Sequence, residues 1–458
     1  MRADAFERNT PFTLSASLRT GTDRALPSEK LRAARIGEID WNQRCLKWLI
    51  LMSEMADVSM PNASASGVAA IVPPDNRSVP RLHFIDGLRG LAMLMVLLYH
   101  CWLFGGLWKI GFTLGRHSVN FAGIIGYGHI GVNLFLVLSG FCLYWPFVKS
   151  GKRREPTLWE FARKRCRRIL PPYYVTLLLC LGLALTQAWP HLDRTDVSFL
   201  MRWLVLHLVM LHNMRPEYIL SLNGSLWSLG LEFQLYILFP VLVEAYRRFN
   251  SRRVLLMVLF VCSAYRFFLV RGGYLPDDGI GYVLAYSVFG RCFEFALGMF
   301  TAEMIARWHE TQKNPLHWID GLVVAVIVPV AIIDGRHGHF QTLTDSMWGL
   351  LFAVIILIGS RPNAIVNRLL STRYLVRIGI YSYSVYLIHL PLVILLGGYA
   401  TTHFSNNGQV LFILVFAVPL MLGLGYLFHL CFEKPFMTAP RSPEVTPAFI
   451  PVQKTFAE

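Results

Sequence analysis

An all-α polytopic bundle of about ten transmembrane helices is the architecture this sequence predicts, and three observations predict it. Hydrophobic residues make up 54% of the 458 and charged residues 16%, with a mean hydropathy of +0.46. A soluble domain typically carries about 25% charge. The apolar residues gather into runs of roughly 18 or more, long enough to cross a bilayer. The basic residues collect between alternate runs, as the positive-inside rule asks of a polytopic chain.

Taken in order, residues 1–80 are polar, have no span-length apolar run and close on "MPNASASGVAAIVPPDNRSVP". That composition predicts a disordered cytoplasmic arm with a short helix around 28–55, and it lacks the shape of a signal peptide. Met52 and Met55 stand as alternative starts. Spans are predicted near 85–105, 128–148, 172–189, 226–245, 253–270, 281–305, 316–334, 346–360, 378–398 and 409–431. The stretch "FLMRWLVLHLVMLHNM" (199–214) is shorter and carries Arg202, His207 and His212, which predicts an interfacial or re-entrant helix. Residues 437–458 read as a short cytoplasmic tail.

Alternating from a cytoplasmic N-terminus puts "KSGKRREPTLWEFARKRCRRI", "YRRFNSRR", "ARWHETQK" and "SRPNAIVNRLLSTRYLVR" inside. It leaves the cation-poor "HLDRTD", "RGGYLPDDGIGY" and "TTHFSNNG" outside. Counting 199–214 as a crossing would move "YRRFNSRR" outside and spoil the asymmetry. The net charge of +15 then needs no nucleic acid: anionic lipid facing the inside loops accounts for most of it, and a basic groove for a phosphate-bearing substrate for the rest. The eight cysteines are scattered without a CxxC, so neither a disulfide framework nor a metal site is implied.

Ionisable groups inside spans cost on the order of 3 kcal/mol each and mark candidate sites. On the first span, "FIDGLRGLAMLMVLLYH", Asp86, Arg89 and His100 project from one face, with His100 about 16 Å along the axis from Arg89. The plainer reading pairs Asp86 with Arg89 as an end-of-helix anchor and lets His100 bond a neighbouring helix. In "NGSLWSLGLEFQLYILFP", Ser225, Ser228, Glu232 and Tyr236 share a face. Glu232 there is either a structural ion-pair partner or the acid that orients a histidine and supports its cation. Ser382, Tyr386 and His389 share a face of "GIYSYSVYLIHLPLV" and suit helix–helix hydrogen bonding. Arg291 and Glu294 read as a self-neutralising pair. At the inside edge, "FARKRCRRILPPYY" sets Arg165 and Arg168 at i,i+3 with Arg163, Lys164 and Arg167 around them. Such runs orient the chain, and paired arginines also make bidentate phosphate contacts.

These stretches, taken together and in order, resemble the acyltransferase-3 family of multi-pass membrane O-acyltransferases that acetylate bacterial surface sugars. "FIDGLRGLAMLMVLLYH", "GHIGVNLFLVLSGF", "RKRCRRILPPYY", "SLWSLGLEFQLYILFP", "FEFALGM", "YSYSVYLIHLPL" and "FEKPF" carry the resemblance, over about 81–436. It implies acyl-coenzyme A, usually acetyl-coenzyme A, as donor, a sugar or glycan hydroxyl as acceptor, and no metal. It places the protein in the lipid bilayer of the bacterial cytoplasmic membrane. Carried over by residue, His100 is the general base, Arg165 and Arg168 contact the donor's phosphates, and Glu232 is the acid of the fourth span. Asp86 and Arg89 match the first-span pair and have an architectural or donor-side role. Some members carry a soluble esterase-like domain after the last span, and the expectation here is that it is missing, since about 25 residues follow Glu433.

An alcohol is a weak nucleophile at neutral pH, so transfer from a thioester needs a base near neutrality, which a histidine supplies. The expected arrangement is His100 deprotonating the acceptor, Glu232 supporting the imidazolium, and the arginines holding the donor. A proton-coupled transporter is the rival, because intramembrane acids and histidines also mark carriers. The spans show neither the internal repeat nor the matched broken helices of that class. The landmarks of the other membrane acyltransferase superfamily that uses a buried histidine are not those found here.

Overall fold

The computed structural model describes residues 82–437 apart from 115–116, 150–156, 186–196, 222, 275–278, 312–320, 322–324, 328 and 331–340. The expected N-terminal arm (1–80) and the tail beyond Met437 lie outside the described residues. The described chain is helical throughout except for one short antiparallel hairpin, β1 (Gly111–Leu114) with β2 (His117–Asn120), in which Phe112 pairs with Val119.

The helices that build the bundle are α1 (His83–Phe104), α2 (Gly131–Lys149), α3 (Leu158–Leu185), α4 (Val197–Leu208) and α5 (Trp227–Arg248). They continue with α6 (Ser251–Arg271), α7 (Val288–Thr311), α8 (Gln341–Gly359), α9 (Arg373–Ile380), α10 (Ser382–His403) and α11 (Val418–Phe428). Helix α1 has Asp86 in its first turn, where the helix dipole favours an anion. It stops at Gly105, followed by Gly106 in the left-handed region (φ 83°).

Among the described residues seven helices are long and apolar enough to cross a bilayer, not ten. The span expected at 172–189 is the apolar second half of α3, whose first half carries Glu160, Arg163, Lys164, Arg165, Arg167 and Arg168. The span expected at 346–360 is a shorter apolar helix, Thr344–Gly359. That at 316–334 falls largely outside the described residues. Segment 199–214 forms α4, whose 12 residues rise about 18 Å, well short of a hydrocarbon core. Its chain then turns through Met210, a buried non-glycine residue at φ 56°.

Lipid offers no hydrophobic drive for helices to associate, so close backbone packing has to supply it, and two glycine seams do. A Cβ on Gly379 of α9 would fall 1.7 Å from the Asp86 carbonyl oxygen of α1, and one on Gly87 would fall 1.7 Å from the Leu370 carbonyl oxygen. Between α2 and α7 the pattern repeats: Gly298 faces the Val137 carbonyl (1.9 Å) and Gly140 the Phe295 carbonyl (2.0 Å). Neither seam can admit a methyl group unless two helices separate.

Away from the seams, α2, α6, α7 and α8 are joined by buried charge. Arg291 Nε lies 3.4 Å from Glu294 Oε1, the pair expected from the sequence, and Arg291 Nη1 lies 2.5 Å from Asp345 Oδ2. Arg266 Nη2 sits 3.5 Å from Glu294 Oε1, and its Nη1 donates to Ser346 Oγ (2.8 Å). Asn133 Nδ2 donates to Asp345 Oδ1 (2.9 Å). The result is two guanidiniums balanced by two carboxylates, so the cluster is neutral and braces the bundle.

Two outcomes test this packing. Gly379→Val should lower the detergent melting temperature of the purified protein by several degrees, since overpacking costs about 1–3 kcal/mol. An unchanged melting temperature would show the seam to be loose. Asp345→Ala leaves two guanidiniums facing one carboxylate at a cost of about 3–5 kcal/mol. Adding Arg266→Met to it should recover part of the loss in the same melting assay.

Candidate active site

A cavity of about 230 Å³ lies where α1, α2, α3, α5 and α10 converge. Helix α1 contributes Arg89, α2 contributes Phe135 and Ser139, and α3 contributes Arg165, Arg168 and Ile169. Ser228, Glu232 and Tyr236 come from α5, and Ser382, Tyr383 and Tyr386 from α10. The i,i+3 spacing on α3 does the sorting: Arg165 and Arg168 turn partly inward to the cavity, while Arg163, Lys164 and Arg167 are exposed. Tyr383 donates its hydroxyl to the Ile169 carbonyl (2.9 Å), which ties α10 to α3 one residue beyond Arg168.

The cavity's charge is unbalanced. Among the described residues none of Arg89, Arg165 and Arg168 makes an ion pair with a carboxylate, and Arg168 lies within electrostatic reach of the other two and of Glu433. The carboxylate in the wall, Glu232, is engaged otherwise: its Oε1 accepts from Ser139 Oγ (2.7 Å) and from the Tyr236 hydroxyl. Glu433, from the segment after α11, accepts on Oε2 from Ser384 Oγ (2.6 Å) and faces His429 Nδ1 (2.8 Å). The cavity wall itself thus sets three guanidiniums against one hydroxyl-bound carboxylate, with Glu433 and Asp86 acting from outside the wall, a chemistry that suits an anion.

His100 does not line this cavity. It lies further along α1, partly buried, with Nδ1 2.9 Å from the Val96 carbonyl and 3.1 Å from His389 Nε2 of α10. The two imidazoles meet edge to face with centroids 4.9 Å apart, and Phe104, one turn further along α1, stacks on His100 at 6.5 Å. His389 is fully buried, and its Nδ1 is 2.7 Å from the Tyr386 carbonyl. Tyr386 stands between the cavity and the pair: its hydroxyl donates to the Ser225 carbonyl (2.9 Å) and shares a hydrogen bond with Ser228 Oγ (2.6 Å).

The sequence-predicted residues are therefore brought together in two groups. Arg89, Arg165, Arg168 and Glu232 share the cavity wall. Asp86, on the first turn of α1, is outside that wall. The support of His100 by Glu232 expected from the sequence is not among the hydrogen bonds found: Glu232 lies one turn beyond Ser228 on α5, its Oε1 accepts from Ser139 and Tyr236, and the hydrogen-bonded ring partner of His100 among the described residues is His389. Sequence reasoning weighed His389 only as packing, and it missed Tyr386 as the divider and Ser139 as a donor to Glu232. The shared face of Tyr386 and His389 was the available signal. Among the described residues no three His, Cys, Asp or Glu side chains group as metal ligands.

Comparison with known proteins completes the picture. The chain is similar to the O-acetyltransferase OatA of Staphylococcus aureus, 24% identical over 337 residues, covering 69% of this chain and 51% of that protein. It is also similar to the acyltransferase MdmB of Streptomyces mycarofaciens, 26% identical over 391 residues, covering 78% of this chain and 92% of that one. The chain thus spans about half the length of OatA and most of MdmB. No solved structure matches it. The acyltransferase-3 family model, described as an acyltransferase domain, matches residues 82–429, which takes in α1 through α11 together with the cavity and the histidine pair. On that match the chain belongs to the acyltransferase-3 family of multi-pass membrane acyltransferases.

Proposed function

We propose that this protein is an O-acyltransferase of the bacterial cytoplasmic membrane, moving an acyl group, acetyl foremost, from acyl-coenzyme A to a hydroxyl of a sugar or glycan. The observation that carries the reading is the cavity whose three guanidiniums make no ion pair among the described residues, with a histidine further along the same helix as Arg89 whose ring is held by a second helix. Coenzyme A presents a diphosphate and a further phosphate, the kind of anion such a cluster suits. At about 230 Å³ the cavity is smaller than a typical ligand pocket of roughly 300–1,000 Å³, so it takes part of the donor only. The remaining phosphate and the adenosine stay at the exposed Arg163, Lys164 and Arg167 on the cytoplasmic edge. OatA is by name an O-acetyltransferase and MdmB an acyltransferase, which supports an acyl-transfer chemistry here.

In the proposed reaction the pantetheine arm runs from the arginines past Tyr386 toward His100. His100 takes the proton of the acceptor hydroxyl as its oxygen bonds to the thioester carbonyl carbon. The carbon–sulfur bond then breaks, and the proton passes from His100 to the departing thiolate, giving an ester and free coenzyme A thiol. Glu232 has a wall role in this scheme: bonded to Ser139 and Tyr236, it holds α2 and α5 around the donor.

The test is acetyl-coenzyme A consumption in membrane vesicles, read as free thiol, with cell-wall glycan fragments as acceptor. His100→Ala should lower turnover by about 10²–10⁴-fold, the usual worth of a general base, with the protein still in the membrane. Turnover at the unmodified level in that variant would remove the assignment. Arg165→Ala and Arg168→Ala should each raise the KM for acetyl-coenzyme A about tenfold or more, the worth of a charge-assisted hydrogen bond. Neither should alter the KM for acetyl-pantetheine, which has no phosphates. Equal effects on both donors would mean that the arginines do not read phosphate.

A further inference from the structure

We infer that His389 is a positioning residue for the base, fixing the His100 ring with Nδ1 protonated and Nε2 bare and sharing the charge the ring acquires during transfer. The inference rests on the reading of His100 given above and adds the partner that makes it directional.

Hydrogen-bond bookkeeping alone decides the tautomers. A carbonyl oxygen only accepts, so a ring nitrogen facing one at hydrogen-bond distance carries the proton. His389 Nδ1 faces the Tyr386 carbonyl at 2.7 Å and is therefore N–H. A neutral imidazole has one N–H, so His389 Nε2 holds a lone pair, and that lone pair is 3.1 Å from His100 Nδ1. His100 Nδ1 also faces the Val96 carbonyl at 2.9 Å. It is thus an N–H shared between two acceptors, and the nitrogen left to abstract a proton is His100 Nε2.

The Val96 contact alone is a bond from α1 to its own preceding turn and moves with α1. The His389 contact comes from α10, so it fixes the ring relative to the rest of the site. It also ties base to cavity: Tyr386, whose carbonyl orients His389, is itself part of the donor-cavity wall and is anchored to Ser225 and Ser228. When His100 Nε2 takes the acceptor's proton, the ring becomes a cation, and its Nδ1–H bond to a neutral nitrogen acceptor strengthens. His389 is fully buried, so it meets this charge with a fixed dipole where water does not reach. An orienting acid does the same for a catalytic histidine elsewhere, and a neutral histidine in its place avoids burying a second charge.

The experiment has a spectroscopic and a kinetic arm. With 15N-histidine-labelled full-length protein in lipid bilayers, solid-state NMR should show two ring nitrogens coupled across an N–H···N bond, lost in both His389→Phe and His100→Ala. His389→Phe fills the space without an acceptor and should lower kcat by about ten- to a hundredfold at an unchanged KM for acetyl-coenzyme A. His389→Gln, whose amide oxygen reaches the position of Nε2, should restore kcat to within a few-fold. A purely packing role predicts the reverse order, with Phe active and Gln impaired. Absence of the coupling in the unmodified protein, or full kcat in His389→Phe beside an inactive His100→Ala, overturns this inference and leaves His100 as base. Full kcat in His100→Ala instead removes the assignment of His100 as base, on which this inference rests, and leaves the acyl-transfer reading standing.

Discussion

Every polar group carried into this bundle must find its partner inside it, because hydrocarbon offers none and an unpaired charge there costs several kcal/mol. That constraint makes charge balance a means of telling scaffold from site. Around Arg291 the charges balance: two arginines, two carboxylates, with Asn133 and Ser346 taking up further bonds. Around Arg168 they do not, and the excess positive charge sits on the wall of a cavity instead of in packed protein. The first cluster balances its own charge, whereas the second leaves its excess on a cavity wall, where the proposed donor would meet it.

Helix α1 links the two halves of the site, since it carries Arg89 in the cavity wall and His100 beside α10. Its placement is set by backbone contact at Gly87 and Gly379, where no side chain intervenes to absorb error. Such a contact is stiff, because a shift of a few tenths of an ångström brings carbonyl oxygens into collision. Helix α10 follows directly after α9, so the seam that locks α9 on α1 also sets where His389 meets His100. A helix pair packed through flexible side chains would not hold two imidazoles at 3.1 Å with the same certainty.

How much of this was legible in the sequence depended on whether the cause was local. Composition and run length are local sums, and they carried the membrane class. Helical periodicity carried the faces: Arg165 and Arg168 point together because they are i,i+3, and Ser228, Glu232 and Tyr236 do so for the same reason. The span count fell from ten to seven among the described residues for three separate reasons: α3 mixes a charged and an apolar half in one helix, Thr344–Gly359 is a shorter apolar helix, and 316–334 lies largely outside the described residues. Partner identity was not local. His100 and His389 are 289 positions apart, and periodicity says which face a residue occupies without saying what that face meets. Asp345 was missed for the same reason, standing in a polar stretch just before a short span, where nothing marks it as buried beside Arg291.

Glu232 shows what such a gap means for a mechanism. A carboxylate on the expected face invites pairing either with His100 or with the nearby arginines, and both pairings would work against the proposed transfer. A bidentate carboxylate–guanidinium contact would occupy the donors that a phosphate needs. A carboxylate against His100 would put a full charge beside the proposed base before any proton had moved, in a region of low dielectric where that charge is costly. Hydroxyl donors from Ser139 and Tyr236 hold Glu232 at Oε1 without either consequence, and the ring partner of His100 is a second histidine. The acid is kept, but its bonds are directed into the wall.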